Sequence, residues 1–351
     1  MSLFEVKSYD REVYEKELKD FLPQKILDVH THVYLKEFFP PKPLAPGEVK
    51  PTVTWPSLVA ADDSIEDLQE TYRLMLPGRT SPPSCSPTPA AASRPTTTWP
   101  TPPAGPASRR CISARRRNPR KRWAADPQGR LPRDQGISES FPQVYPEAEI
   151  RIFDFFPKAQ LKKMDEMGAI VMLHIPRNGR LKDPVNLAQI MEIKQEFLNI
   201  RLIIAHIGRA YTKEDVGNAF ENARPGARIS CDDFCANCCE YAITEVIRHA
   251  GVKHVMYGTD MPILHAHPPH RGKRHLHQPR SPGLYGDPKQ DKHLREVSAE
   301  EAEKITFFLY EELLAFKRAA KTLGLSRQDI EDIMYNNAHD LIEGARKSIY
   351  G

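Results

Sequence analysis

Two histidines one residue apart close a short apolar segment, Lys25-Ile26-Leu27-Asp28-Val29-His30-Thr31-His32. Side chains alternate across a strand, so His30 and His32 share a face. Two imidazoles at the end of a buried strand are expensive as packing. They make sense as paired nitrogen ligands for a divalent metal ion. Three further polar residues end apolar runs in the same manner. His174 follows Ala169–Leu173, His206 follows Leu202–Ala205, and Asp260 closes Val252–Thr259. A buried carboxylate with no partner is costly, so Asp260 also calls for a cation. His249, in a helix pattern, and His254, early in a strand pattern, read as structural.

These ends must be held by regular elements. Residues 11–20 form a polar helix candidate; Ile65, Leu68, Tyr72 and Met75 recur at helical spacing and predict a helix over 65–75, and further helices are expected over 159–167, 188–197 and 240–249. Apolar runs predict strands over 25–32, 169–174, 201–206 and 252–260. A further short strand is expected near Arg228-Ile229-Ser230. Strands alternating with helices argue for βα units and a parallel sheet. In a closed barrel all strand C-termini open on one face. That arrangement gathers His32, His174, His206 and Asp260 better than a doubly wound sheet. The expected fold is therefore a single α/β domain over 1–351, a (β/α)8 TIM barrel, distorted or incomplete around residues 80–140. Ser326 and Asp329 cap a closing helix over 325–338.

Two stretches do not share this patterning. Residues 80–133 are rich in proline and arginine, with thirteen prolines from Pro77 to Pro132 and no helix or strand period. Residues 264–283 hold five of the thirteen histidines. Each reads as a solvated insertion, or as a local reading-frame slip closed by a compensating one; the histidine-rich stretch also reads as an adventitious metal binder. The first stretch distorts the charge balance: residues 79–133 carry a net +11, leaving −7 on the rest of a chain whose total is +4. Its basic residues lack interleaved aromatics or a reading motif, which argues against nucleic acid as a partner. There is no apolar run of membrane-spanning length and no signal-peptide pattern at the N-terminus, so a cytoplasmic location and no membrane partner are expected. Four of the six cysteines crowd into Cys231–Cys239 without a second pair at a distance, and they read as reduced thiols.

The segments Asp28-Val29-His30-Thr31-His32, Leu173-His174-Ile175-Pro176, Ala205-His206-Ile207-Gly208 and Tyr257-Gly258-Thr259-Asp260-Met261-Pro262, with the terminal Asp332–Ala338, resemble the amidohydrolase superfamily. The resemblance is to its amidohydrolase-related branch, which includes aminocarboxymuconate-semialdehyde decarboxylase, resorcylate-type decarboxylases and dicarboxylate lactone hydrolases. It covers residues 24–75 and 141–342 apart from the odd stretches. It implies one divalent ion, Zn²⁺ or Mn²⁺, held by His30, His32, His174 and Asp260, with His206 beside the reacting water or substrate. Asp260 would also accept a proton. On that reading, Arg209 clamps a substrate carboxylate bidentately, and Asn237, Asp232 and Asp233 line the pocket. Asp28 either hydrogen-bonds a ligand imidazole from behind or caps locally. The implied reaction is hydrolysis of a C–O or C–N bond in a small carboxylated substrate by metal-activated water. Its alternative is non-oxidative decarboxylation of an aromatic or enoic acid on the same ligands. A small molecule is the expected partner, with a homodimer as the assembly to test.

Overall fold

A computed structural model describes residues 6–35, 62–80, 83–87, 112–113, 149–177, 179–220, 239–262, 276–278, 294–296, 298, 300 and 303–350. Within these residues every strand pairing that forms a ladder is parallel. β1 (Asp28–Val33) pairs with β2 (Pro83–Pro87). β3 (Ile112–Ser113), β4 (Ile170–Leu173) and β5 (Arg201–Ile204) form a second sheet, and β6 (Leu276–Gln278) pairs with β7 (Leu294–Glu296). The segment 255–261 runs beside β1. Val29 N–H donates to Tyr257 O at 3.1 Å, Asp260 N–H to His30 O at 2.7 Å and His32 N–H to Met261 O at 2.7 Å, with a parallel bridge between Thr31 and Met261. The class is α/β.

Helices follow where capping residues and apolar spacing agree. α1 (Ser8–Val13) runs into a π-helical turn, Tyr14–Leu18. α2 (Ile65–Met75) starts at Ser64, whose hydroxyl accepts from Asp67 N–H while Asp67 accepts from Ser64 N–H, and it buries Leu68, Tyr72 and Met75. α3 (Ile152–Phe155) precedes α4 (Lys158–Met167), which ends at Gly168 in the left-handed region. α5 (Pro184–Glu196) combines an Asp183 cap with proline at its first position. α6 (Lys213–Val216), α7 (Glu240–Ala250), α8 (Phe308–Leu323), α9 (Arg327–Glu331) and α10 (Asn337–Tyr350) complete the set.

β1, β4 and β5 bury both faces, as strands of parallel sheets covered on each side do. Val171 and Leu173 of β4 face an outer layer packed against the helices. Ile170 and Met172 face an inner cluster with Leu27, Val29, Ile203, Ala205 and Met256. Ala338, Ile342 and Ala345 of α10 join this inner cluster. The turn before α10 ties the same region down, because Leu27 N–H donates to Met334 O at 2.8 Å and Tyr257 N–H to Ile333 O at 3.0 Å.

Several expectations change. Residues 80–133 show no strand pattern in sequence, yet β2 and β3 lie there. Parallel pairing with β1 and β4 supplies the order that local propensity does not, and the prolines of β2 sit at its two ends. β6 lies inside 264–283. The expected strand over 252–260 begins with a 3₁₀ turn, Val252–His254, because Gly251 at φ +87° turns the chain out of α7 before pairing starts. The closing helix continues well past 338, to Tyr350, after a π-helical turn over Asp332–Asn336. α8, a helix the apolar pattern did not single out, is buried along most of one side. The expected strand near 228–230 lies outside the described residues.

Candidate metal centre

β4 carries His174 to the centre by simple alternation, since Ile170, Met172 and His174 are each two residues apart. β1 reaches the same face differently. Leu27 and Val29 point inward, so unbroken alternation would turn His30 and His32 outward. A register shift against β2 between Asp28 and Thr31 inserts one extra residue, and a bulge of this kind re-aims the side chains after it. Asp28 lies at this shift: its Oδ1 accepts from His30 N–H at 3.0 Å, a side-chain bond that competes with the regular ladder.

Four imidazoles and a carboxylate then converge. His32 Nε2 lies 3.3 Å from His30 Nε2 and 2.9 Å from Asp260 Oδ1. His30 Nε2 is 3.4 Å from Asp260 Oδ1, and His206 Nε2 is 3.8 Å from Asp260 Oδ2. The His30 ring is centred 5.0 Å from that of His174 and 4.9 Å from that of His206. His30, His32, His206 and Asp260 are buried and His174 half-buried. Burial by itself pushes the Asp260 carboxyl up. The imidazoles of His30, His32 and His206 outweigh it and hold Asp260 well below the usual carboxylate range. Two donor sets, His30–His32–Asp260 and His30–His174–His206, each have ligand atoms within 4.8 Å of one another. Neutral imidazole nitrogens with one ionised carboxylate oxygen form a donor set suited to a borderline ion such as Zn²⁺. The residues therefore fit a divalent metal.

The backbone around this point is strained. His206, Ile207, Gly208 and Arg209 are consecutive residues at φ +55°, +48°, +63° and +58°, a left-handed turn that begins just after β5. Each non-glycine residue there costs about 1–2 kcal/mol. Asp260 also sits at φ +56°. Arg209 Nη1 donates to Pro176 O at 3.3 Å, linking the chain after His206 to that after His174. Arg180 makes a second link, to Asp215 Oδ2 at 2.6 Å and over the Tyr211 ring at 4.8 Å.

Asp28 acts locally, on the backbone of both ligand-bearing segments. Besides His30 N–H it accepts from Thr259 N–H at 3.1 Å, Thr259 Oγ1–H at 2.5 Å and Tyr72 O–H at 2.5 Å. Burial lifts its carboxyl to about 6, opposed by the bonds from Thr259, Tyr72 and His30. Burial, with the Asp28 charge beside it, keeps the Tyr72 hydroxyl protonated and a donor. Sequence reading missed both partners. Tyr72 reads in sequence only as part of the apolar spacing of the 65–75 helix, and Thr259 only as part of the segment that ends in Asp260. Asn237, Asp232 and Asp233 lie outside the described residues.

The family model described as Amidohydrolase matches residues 142–343, more than half of the chain. The protein belongs to the amidohydrolase family. This amidohydrolase is also similar in structure to amidohydrolase 2 from Bifidobacterium longum subsp. infantis. The two are 13% identical with a TM-score of 0.42, over 92% of this chain and 99% of that one. A search of curated proteins gave no match. The family is metal-dependent, which agrees with the convergent donor set, and family membership supports an enzyme of the hydrolase or decarboxylase type. No helix among the described residues is long and apolar enough to cross a membrane.

Proposed function

We propose that this amidohydrolase hydrolyses a C–O or C–N bond in a small carboxylated substrate, using one divalent ion, Zn²⁺ or Mn²⁺, held by His30, His32, His174 and Asp260. The observation that supports the reading is the pair of donor sets, His30–His32–Asp260 and His30–His174–His206, that share His30. When bound, the ion supplies Lewis-acid polarisation and a water acidified towards neutral pH. Everything else falls to the chain. Asp260, kept ionised by its imidazole neighbours, accepts a proton from the attacking water. His206 donates to the oxygen on which negative charge develops. Arg209 is half-buried, with one guanidinium nitrogen on Pro176 O, and its remaining donors fit a substrate carboxylate.

The architecture proposed around the site is a (β/α)8 barrel. One hydrophobic cluster supports it, since side chains from β1, β4, β5 and the 255–261 segment pack together there with Ala338, Ile342 and Ala345 of α10. Metal analysis of freshly purified protein, followed by a screen of carboxylated esters, lactones and amides, tests the function. One equivalent of metal and cleavage of at least one class are expected, both lost in His30→Ala and His32→Ala variants. Absence of metal even after supply of Zn²⁺ or Mn²⁺ would refute the reading. Release of CO₂ without hydrolysis would reassign the reaction to decarboxylation.

A further inference from the structure

The bulge in β1 is what brings His30 and His32 onto the same side as His174, and one carboxylate sustains it. Asp28 Oδ1 takes the His30 N–H and the Thr259 N–H; Oδ2 takes the hydroxyls of Thr259 and Tyr72. Thr259 directly precedes Asp260, and its Oγ1 in turn accepts from Met261 N–H at 3.2 Å. Asp28 thus touches the backbone on both sides of the ligand shell: the strand that bears two histidines and the turn that bears the carboxylate. A carboxylate has about four acceptor positions, and these four donors match them. Three come from the ligand-bearing segments themselves. The fourth comes from outside, from α2, whose Leu68, Tyr72 and Met75 are buried in the outer core.

We infer that Tyr72 is a positioning residue for the metal centre: its hydroxyl fixes the rotation of the Asp28 carboxylate, which holds the β1 bulge and so keeps His30, His32 and Asp260 in one ligand shell. The inference rests on the metal-centre reading above. Packing alone does not require the hydroxyl, because phenylalanine fills the same volume. With Phe at 72, Oδ2 loses the Tyr72 hydroxyl that comes from outside the ligand-bearing segments, which loosens the hold on the carboxylate orientation that meets His30 N–H. The bulge then competes with regular alternation, which would turn both histidines outward.

The test uses the full-length protein as wild type and as Tyr72→Phe, Thr259→Ser and Thr259→Val variants. Each is stripped with a chelator and titrated with Co²⁺, reading both affinity and the visible absorption spectrum. Backbone hydrogen exchange of the metal-free proteins is measured in parallel. Tyr72→Phe is expected to bind metal about 10–100-fold more weakly, the usual effect of losing a group that orients ligands, with an altered Co²⁺ spectrum. The amides of His32 and Asp260, bonded to Met261 O and His30 O, are expected to exchange faster. Thr259→Ser retains the hydroxyl and should bind like wild type, whereas Thr259→Val should not. A Tyr72→Phe protein with wild-type affinity and spectrum overturns the inference, whatever its melting temperature. If that variant does not fold, equal affinities for the serine and valine variants overturn it instead. If the wild type itself takes up no metal, the metal-centre reading falls. The exchange data then decide: unchanged protection of His32 and Asp260 in Tyr72→Phe defeats the positioning role on its own.

Discussion

Replacing Asp63 by asparagine should stabilise the protein at alkaline pH and leave it unchanged in acid. Asp63 lies just before the Ser64 cap of α2 and is 4% exposed. Its backbone pairs both ways with Tyr34, at 2.6 and 2.9 Å, and so holds the chain directly beyond His32. Burial, with Asp67 and Asp62 nearby, raises its carboxyl from 3.8 to about 7. The unfolded chain releases this proton near the ordinary value, while the folded protein keeps it until about pH 7. Between those limits the folded state binds more protons, so stability falls as pH rises. Each unit is worth 1.36 kcal/mol, which sets a ceiling of about 4 kcal/mol above pH 7; partial solvent relaxation makes about 2–4 kcal/mol the working range. Asparagine matches the protonated side chain in shape and cannot ionise. Urea unfolding of both proteins at fixed ionic strength from pH 4 to 8.5, with midpoint and slope fitted separately, measures the difference. Asp28 and the other titrating groups are common to both and cancel. The Asp63→Asn advantage should be near zero at pH 4 and reach its full value by about pH 8. Parallel stability curves for the two proteins would show that the buried carboxyl is not the source.

Other consequences are simpler to check. Gly208→Ala places a Cβ 2.7 Å from Leu181 Cδ1 at a residue with φ +63°; a loss of about 1–3 kcal/mol is expected in thermal or urea unfolding, with activity falling further because His206 shares the turn. Arg209→Lys keeps the charge and loses the planar fork, so KM for a carboxylated substrate should rise about 10-fold while kcat changes little. Equal effects on substrates with and without a carboxylate would rule out the clamp. Ser64→Ala removes the α2 cap and should cost about 1 kcal/mol in a denaturation midpoint, without changing metal stoichiometry.

Local pattern in the chain was enough for the elements that form by local rules. Helices α2, α4, α5 and α7 fall where helices are expected from the sequence, α2 and α5 with side-chain caps at Ser64 and Asp183, and β4 and β5 where short apolar runs end in histidine. It was also enough to nominate His30, His32, His174, His206 and Asp260, because imidazoles and carboxylates at the ends of buried strands are too costly to be filler. Tertiary structure decided what depends on partners distant in sequence. The bulge that turns His30 and His32 inward needs Asp28 to meet Thr259, 231 residues away, and Tyr72, 44 residues away. β2 forms in a proline-rich stretch because β1 supplies its pairing. The left-handed turn from His206 to Arg209 is disfavoured for three of its four residues and persists under the packing of Leu181 and Ile175 against Gly208. Sequence thus specified which side chains can bind a metal; which way two of them face was set by a single carboxylate held in place from three directions.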